Sequence, residues 1–251
     1  MKGWQGKIAI VTGASSGIGA GIVEKLVEEG LTVVGLARRV DMMDQLKKKL
    51  TEKSGKFYPL ECDLSLESNI LKCFDYVSKN LGPIHVLINN AGCLTKQNLC
   101  DGTTEVWKRV IDVNLLGLCV ATREAIKSMK ENEIDGQIIH INSITGHWNV
   151  RIDDLNIYPA TKYAVTSLAQ TLRKELSKTK TKIKVTSLSP GLVNTEIFAV
   201  GGMTNYADSL VQEQVPALSP RDIADAVTYI LSTPPHVNIS ELIIQPVNED
   251  L

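Results

Sequence analysis

No apolar run in this chain approaches the roughly 18 residues that a membrane-spanning helix needs. The early apolar stretch from Ile8 to Val11 is cut off by Thr-Gly-Ala-Ser-Ser-Gly, so neither a membrane span nor a signal peptide is expected. Basic residues are equally unclustered: the only run is Lys47-Lys48-Lys49, and the net charge is -1. A nucleic-acid partner is therefore not expected, and the lysine run reads as a solvated helix face. The five cysteines, Cys62, Cys73, Cys93, Cys100 and Cys119, are odd in number and lack C-x-x-C or metal-ligand spacing. They read as reduced, mostly buried thiols of a soluble cytoplasmic protein. The four histidines, His85, His140, His147 and His236, form no H-E-x-x-H group, and no metal site is expected. No internal repeat and no linker-like stretch divides the chain.

What is present is enough to fill a core. With 251 residues and 43% hydrophobic content, the chain suits one α/β domain over residues 1–251. Short β-branched runs at 7–11, 32–37, 56–61, 84–88, 138–141, 183–188 and 241–245 alternate with helical periodicity. That alternation predicts a parallel sheet covered by helices on both faces.

Ser143 follows the run at 138–141 and so belongs at the carboxyl end of a strand, where open α/β sheets bind ligands. Tyr158 and Lys162 are four apart at the start of a helical pattern with Pro159 in its first turn, so their polar ends face one way. A phenol normally titrates near ~10; a fixed ammonium beside it favours the phenolate and makes it a usable general acid or base. The alternative is that Tyr158 only packs and Lys162 is solvated.

Gly13, Gly17 and Gly19 stand between the first strand and its helix. Such glycines permit a tight turn, the approach of a phosphate to the backbone and close helix packing, although an ordinary βα connection has the same look. After the second strand, Ala37 occupies the position where NAD sites place an acid on the ribose 2′-hydroxyl, and Arg38 and Arg39 follow it. Guanidinium groups there hold a 2′-phosphate, which predicts NADP(H) over NAD(H). The alternative is two surface arginines near Asp41 and Asp44. Asp63, followed by Leu64, is a candidate for the adenine edge or for the cap region of the next helix.

T-G-x-x-x-G-I-G at 12–19, N-N-A-G at 89–92 and Y-x-x-x-K at 158–162 resemble the motifs of the short-chain dehydrogenase/reductase family, and the likeness spans nearly the whole chain. It implies a single-domain, Rossmann-type, doubly wound parallel sheet of seven strands with a Ser-Tyr-Lys site. On that resemblance Tyr158 exchanges the proton and Ser143 hydrogen-bonds the substrate oxygen. Lys162 binds the nicotinamide ribose and lowers the phenol's pKa, and Asn114 orders a water of the proton relay. Gly13, Ser15, Ser16, Gly17, Ile18, Gly19, Arg38, Arg39, Asp63, Leu64, Asn90, Ala91 and Gly92 are expected on the cofactor, with Tyr158 and Lys162. Pro190, Gly191, Val193 and Thr195 match the stretch that meets the nicotinamide amide. One departure is the interval of fifteen between Ser143 and Tyr158, wider than the family's commonest; the surplus reads as a rim loop over 148–157.

The segment 110–121 is apolar nearly all round, as is a helix covered on more than one side. The helix after Tyr158 adds a face of small residues: Ala160, Ala164, Ser167 and Thr171. Both point to a homodimer or homotetramer, unless a loop of the same chain covers them. Residues 194–216, with Phe198, Gly201, Gly202, Met203 and Tyr206, read as a lid for a small apolar alcohol or carbonyl substrate, or as a bland surface loop. The start Trp4-x-Gly-Lys and the tail from Pro234 to Ile244 resemble the farnesol-dehydrogenase-like branch of insects and its vertebrate steroid- and carbonyl-reducing relatives. Farnesol and related isoprenoid alcohols are thus the first substrates to try; steroids, ketones and quinones come next. A cofactor-binding regulatory protein without turnover is the alternative class.

Overall fold

Alternation along each strand decides where the core sits. In β1 (Ile8–Thr12) every residue is buried, and successive side chains take opposite faces of the sheet. Ala9 and Val11 join one apolar cluster with α1 (Gly17–Glu28), α2 (Val40–Lys49) and α9 (Pro220–Ser232). Ile8 and Ile10 join the other, under α3 (Glu67–Asn80), α5 (Leu118–Glu131) and α6 (Tyr158–Ser177). Strands apolar on both faces are those of a parallel sheet clad on both sides.

The remaining strands are β2 (Thr32–Ala37), β3 (Lys56–Glu61), β4 (Ile84–Asn89), β5 (Gln137–Ile141), β6 (Lys184–Pro190) and β7 (Glu241–Ile244). The computed structural model, which describes residues 2–249, orders them β3-β2-β1-β4-β5-β6-β7, every neighbouring pair parallel. This is the single-domain α/β Rossmann fold; Met1, Asp250 and Leu251 of the expected 1–251 domain lie outside the described residues. From β1 the chain proceeds to β2 on one side and returns to β4 on the other, so a crevice opens beyond the carboxyl ends of β1 and β4. Two helix boundaries follow local rules. Gly30 lies just past α1 at φ +91°, a left-handed conformation that glycine adopts without strain. Ser219 and Asp222 form a reciprocal capping box around Pro220 at the start of α9,.

One expectation needs correction. Residues 110–121 are not one continuous α-helix: α4 (Thr104–Ile111) runs into a π-helical stretch, Asp112–Gly117, before α5. A Cβ on Gly117 would stand 2.4 Å from the carbonyl oxygen of Leu64, so only glycine permits this close approach to the loop after β3. Ile111 and Leu116 are exposed, against the alternative that a loop of the same chain covers this face. The segment 194–216 folds into α7 (Ile197–Val200) and α8 (Thr204–Gln212). Among the described residues, no helix is long and apolar enough to cross a membrane.

Candidate active site

A cleft of about 380 Å³ occupies the crevice. Its floor is the turn after β1, where Gly13 (φ +67°) and Gly17 (φ +53°) take left-handed backbone that side chains disfavour. A Cβ on Gly13 would meet the Cα of Ala91 at 2.9 Å, and one on Gly19 would meet the Gly13 carbonyl oxygen at 2.2 Å. Gly19 is thus a packing residue, absent from the cleft wall. Thr12 Oγ1 accepts from the N–H groups of Asn90 and Ala91 at 3.0 and 2.9 Å, while Asn90 Nδ2 donates to the Thr12 carbonyl at 2.8 Å. The N-N-A-G segment is therefore knitted to the glycine turn, and much of Asn90's amide is spent on that.

Ser15, Ser16, Ile18, Arg38, Arg39, Asp63, Leu64, Ala91 and Gly92 all line the same cleft. Asp63 lines the cleft, and its Oδ1 accepts from Ser65 N and Oγ at 2.9 and 2.7 Å in the turn before α3. Burial pushes the Asp63 carboxyl up, but those hydrogen bonds and the charges of Arg38 and Arg109 outweigh it and hold the group below the usual range,.

Tyr158 joins this cleft to a second, smaller pocket of about 110 Å³. The pocket is apolar, walled by Leu94, Ile144, Val150, Ile152, Leu155 and Phe198, from the rim loop, α7 and the segment after β4. Ser143 lines it, its Oγ accepting from Thr145 N at 3.1 Å. Pro190, Gly191 and Val193 line this pocket and not the cleft, whereas Thr195 lines both. Lys162 lies one turn beyond Tyr158 and donates from Nζ to the Ile141 carbonyl at 3.0 Å. Asn114, in the π-helical stretch, lines neither cavity. Its Oδ1 accepts from Cys93 N at 2.8 Å and its Nδ2 donates to Cys93 O and Thr161 Oγ1 at 3.0 and 3.1 Å.

Burial acts against the lowering of the phenol expected from Lys162. Burial pushes the Tyr158 hydroxyl up to about 12, with the Ser143 hydroxyl acting in the opposite sense. Burial also brings Lys162 down to about 8. Exclusion of water disfavours both charged forms together.

Three contributors escaped the sequence reading. Arg109 on α4, Cys93 and Glu196 all line the cleft, and Glu196 Oε1 accepts from Ser16 Oγ at 2.6 Å and from Arg39 Nη2. No motif flags them: Arg109 reads as an ordinary helix-surface arginine and Glu196 as an acid near a helix start.

The short chain dehydrogenase model matches residues 7–202. Farnesol dehydrogenase of Aedes aegypti is 44% identical to the chain over 99% of both. The mouse dehydrogenase/reductase SDR family member 11 is 42% identical over 99% of this chain and 97% of its own. Among solved structures, the closed form of serine dehydrogenase complexed with NADP+ superposes with a TM-score of 0.87 at 31% identity, covering 97% and 96% of the two chains. With this likeness along its whole length, and with the glycine turn, the asparagine-bearing strand end and the Tyr-Lys helix meeting at one cleft, the chain belongs to the short-chain dehydrogenase/reductase family of oxidoreductases.

Proposed function

We propose that the protein is an NADP(H)-dependent oxidoreductase acting on an apolar alcohol/carbonyl pair, with farnesol or a related isoprenoid alcohol as the leading substrate. The observation that carries this reading is that Tyr158 stands in the wall common to the large polar cleft and the small apolar pocket. One phenol can thus face a cofactor on one side and a substrate oxygen on the other. The cleft fits a phosphorylated dinucleotide: its turn excludes side chains at Gly13, and Arg38 and Arg39 line the end beyond β2, where they would hold the ribose 2′-phosphate. Gly13, Ser15, Ser16, Gly17 and Ile18 would take the pyrophosphate, and Thr195 the nicotinamide end. When bound, the nicotinamide supplies or takes up the hydride.

Tyr158 then gives its proton to a carbonyl oxygen or takes one from an alcohol, and Ser143 donates a hydrogen bond to that oxygen. Lys162 is assigned the nicotinamide ribose and the charge that offsets the phenolate, and Asn114 the placement of a relay water. The pocket is small beside ordinary ligand sites of roughly 300 Å³ or more, which favours the reacting end of a slender chain over a bulky polar molecule. The Aedes aegypti relative's name, farnesol dehydrogenase, points to the same class. Steroid, ketone or quinone reduction is the alternative.

The oligomer belongs to the same proposal: Leu116 and Tyr163 are 56% and 43% exposed on neighbouring helices, and a second copy would cover them. A monomeric mass by light scattering at micromolar concentration would remove this part. Five free thiols suit a reducing compartment, and we place the protein in the cytoplasm. The test of function is a screen of apolar alcohols and carbonyls with both cofactors, following absorbance of the reduced nicotinamide. Turnover of an isoprenoid alcohol with NADP+ at least about tenfold better than with NAD+ is expected from the charged contacts to the 2′-phosphate; preference for NAD+, or no turnover at all, overturns it.

A further inference from the structure

Glu196 is a carboxylate in an anion-binding place. It lies between Thr195, at the rim of both cavities, and α7, which begins at Ile197. Its side chain crosses the cleft to the glycine turn, where Oε1 accepts from Ser16 Oγ at 2.6 Å and from Arg39 Nη2. The same Arg39 nitrogen donates to Ser16 Oγ at 2.7 Å and to Ser15 Oγ at 3.2 Å. One carboxylate oxygen thereby holds the guanidinium and a hydroxyl that a phosphate at this turn would need. The two side chains are 42% and 39% exposed, so their ion pair is weak and open to competition. Arg39 and then Ser16 hold the Glu196 carboxyl below the usual range, which keeps it anionic at neutral pH.

We infer that Glu196 is an internal competitor for the cofactor's 2′-phosphate, a latch across the cleft that a phosphorylated adenosine ribose must displace from Arg39. This rests on the NADP(H) reading above and adds a specificity residue to it. Two anions cannot share one guanidinium face and one serine hydroxyl without repulsion, so binding of the phosphate moves the carboxylate away. Displacement also reaches the substrate side. Ile197 and Phe198 line the apolar pocket, and the end of α7 is tied to the opposite rim by Lys96 N donating to Gly201 O at 2.7 Å. Freeing Glu196 therefore loosens one wall of the pocket from the cofactor turn.

The test uses adenosine 2′,5′-bisphosphate, which carries the 2′-phosphate and no nicotinamide, against 5′-AMP, which lacks it. Calorimetric titration of the full chain should show Glu196→Gln binding the bisphosphate about fivefold tighter than wild type, the scale of one exposed ion pair. AMP, whose 5′-phosphate can reach only the Ser16 hydroxyl that Glu196 holds, should gain less, and the extra gain of the bisphosphate should vanish when Arg39→Ala is added. Hydrogen exchange across 196–203 should rise when the bisphosphate binds wild type and be already high in Glu196→Gln. No gain in Glu196→Gln, or an equal gain with Arg39→Ala present, overturns the latch. Equal binding of AMP and bisphosphate by wild type overturns instead the NADP(H) reading on which it rests.

Discussion

The Lys162 ammonium nitrogen lies 5.7 Å from the centre of the Tyr158 ring, one helical turn along α6, with both side chains almost wholly buried. Burial costs both charged forms their hydration, so each group is held in its neutral form more strongly than in solution,. Keeping two such groups buried costs stability.

Tyr158→Phe should lower kcat/KM by about a thousandfold, the scale of a positioned general acid or base. The phenyl ring keeps the buried packing, so the melting temperature and the dissociation constant for NADP(H), from nicotinamide fluorescence, should stay within twofold or a few degrees. Turnover within tenfold of wild type would remove Tyr158 from the chemistry.

The pH dependence follows from the signs. Carbonyl reduction needs the neutral phenol, fully present below about 12, so its rate should be flat from acid to neutral pH and fall above about 8 as Lys162 loses its charge. Alcohol oxidation needs the phenolate beside a charged Lys162, so its rate should climb about tenfold per pH unit up to about 8 and level off above it,. Profiles of kcat/KM in both directions check this; parallel slopes would contradict it.

Lys162→Met should abolish turnover and stabilise the fold. Lysine has a folded pKa of about 8, below its unfolded value, so beneath pH 8 it is charged in both states and the full burial cost is present. Replacing it removes that cost and leaves the Ile141 carbonyl without its donor, a net gain of roughly 2 kcal/mol. The melting temperature at pH 7 should rise by about 4–8 °C, and the advantage should shrink as pH climbs from 8 towards 10.5. A less stable variant at pH 7, followed by circular dichroism, would refute it.

Arg38→Ala and Arg39→Ala should each raise KM for NADP+ by about tenfold or more through loss of a charge-assisted contact, with NAD+ little affected. Steady-state kinetics with both cofactors decide it, and equal loss for both would point to a damaged turn.

Local chemistry was enough to read much of this protein from its residues. The alternating β-branched runs dictate buried strands, and the glycines at 13 and 17 demand the backbone that only they tolerate. The four-residue step from Tyr158 to Lys162 puts both on one helix face. These depend on neighbours in the chain, so the order of residues carries them. What needed the folded molecule is whatever distant segments impose on each other. The shift of the phenol to about 12 is a property of the walls around it. The split between cleft and pocket, with Pro190 and Gly191 on the pocket side, depends on how β6 meets the lid. The reach of Glu196 to Arg39 joins residues 157 apart in the chain, and no spacing rule connects them. Periodicity and turn chemistry act over a few residues and are written in the sequence, whereas burial and charge depend on distances through space that only the packed sheet and helices set.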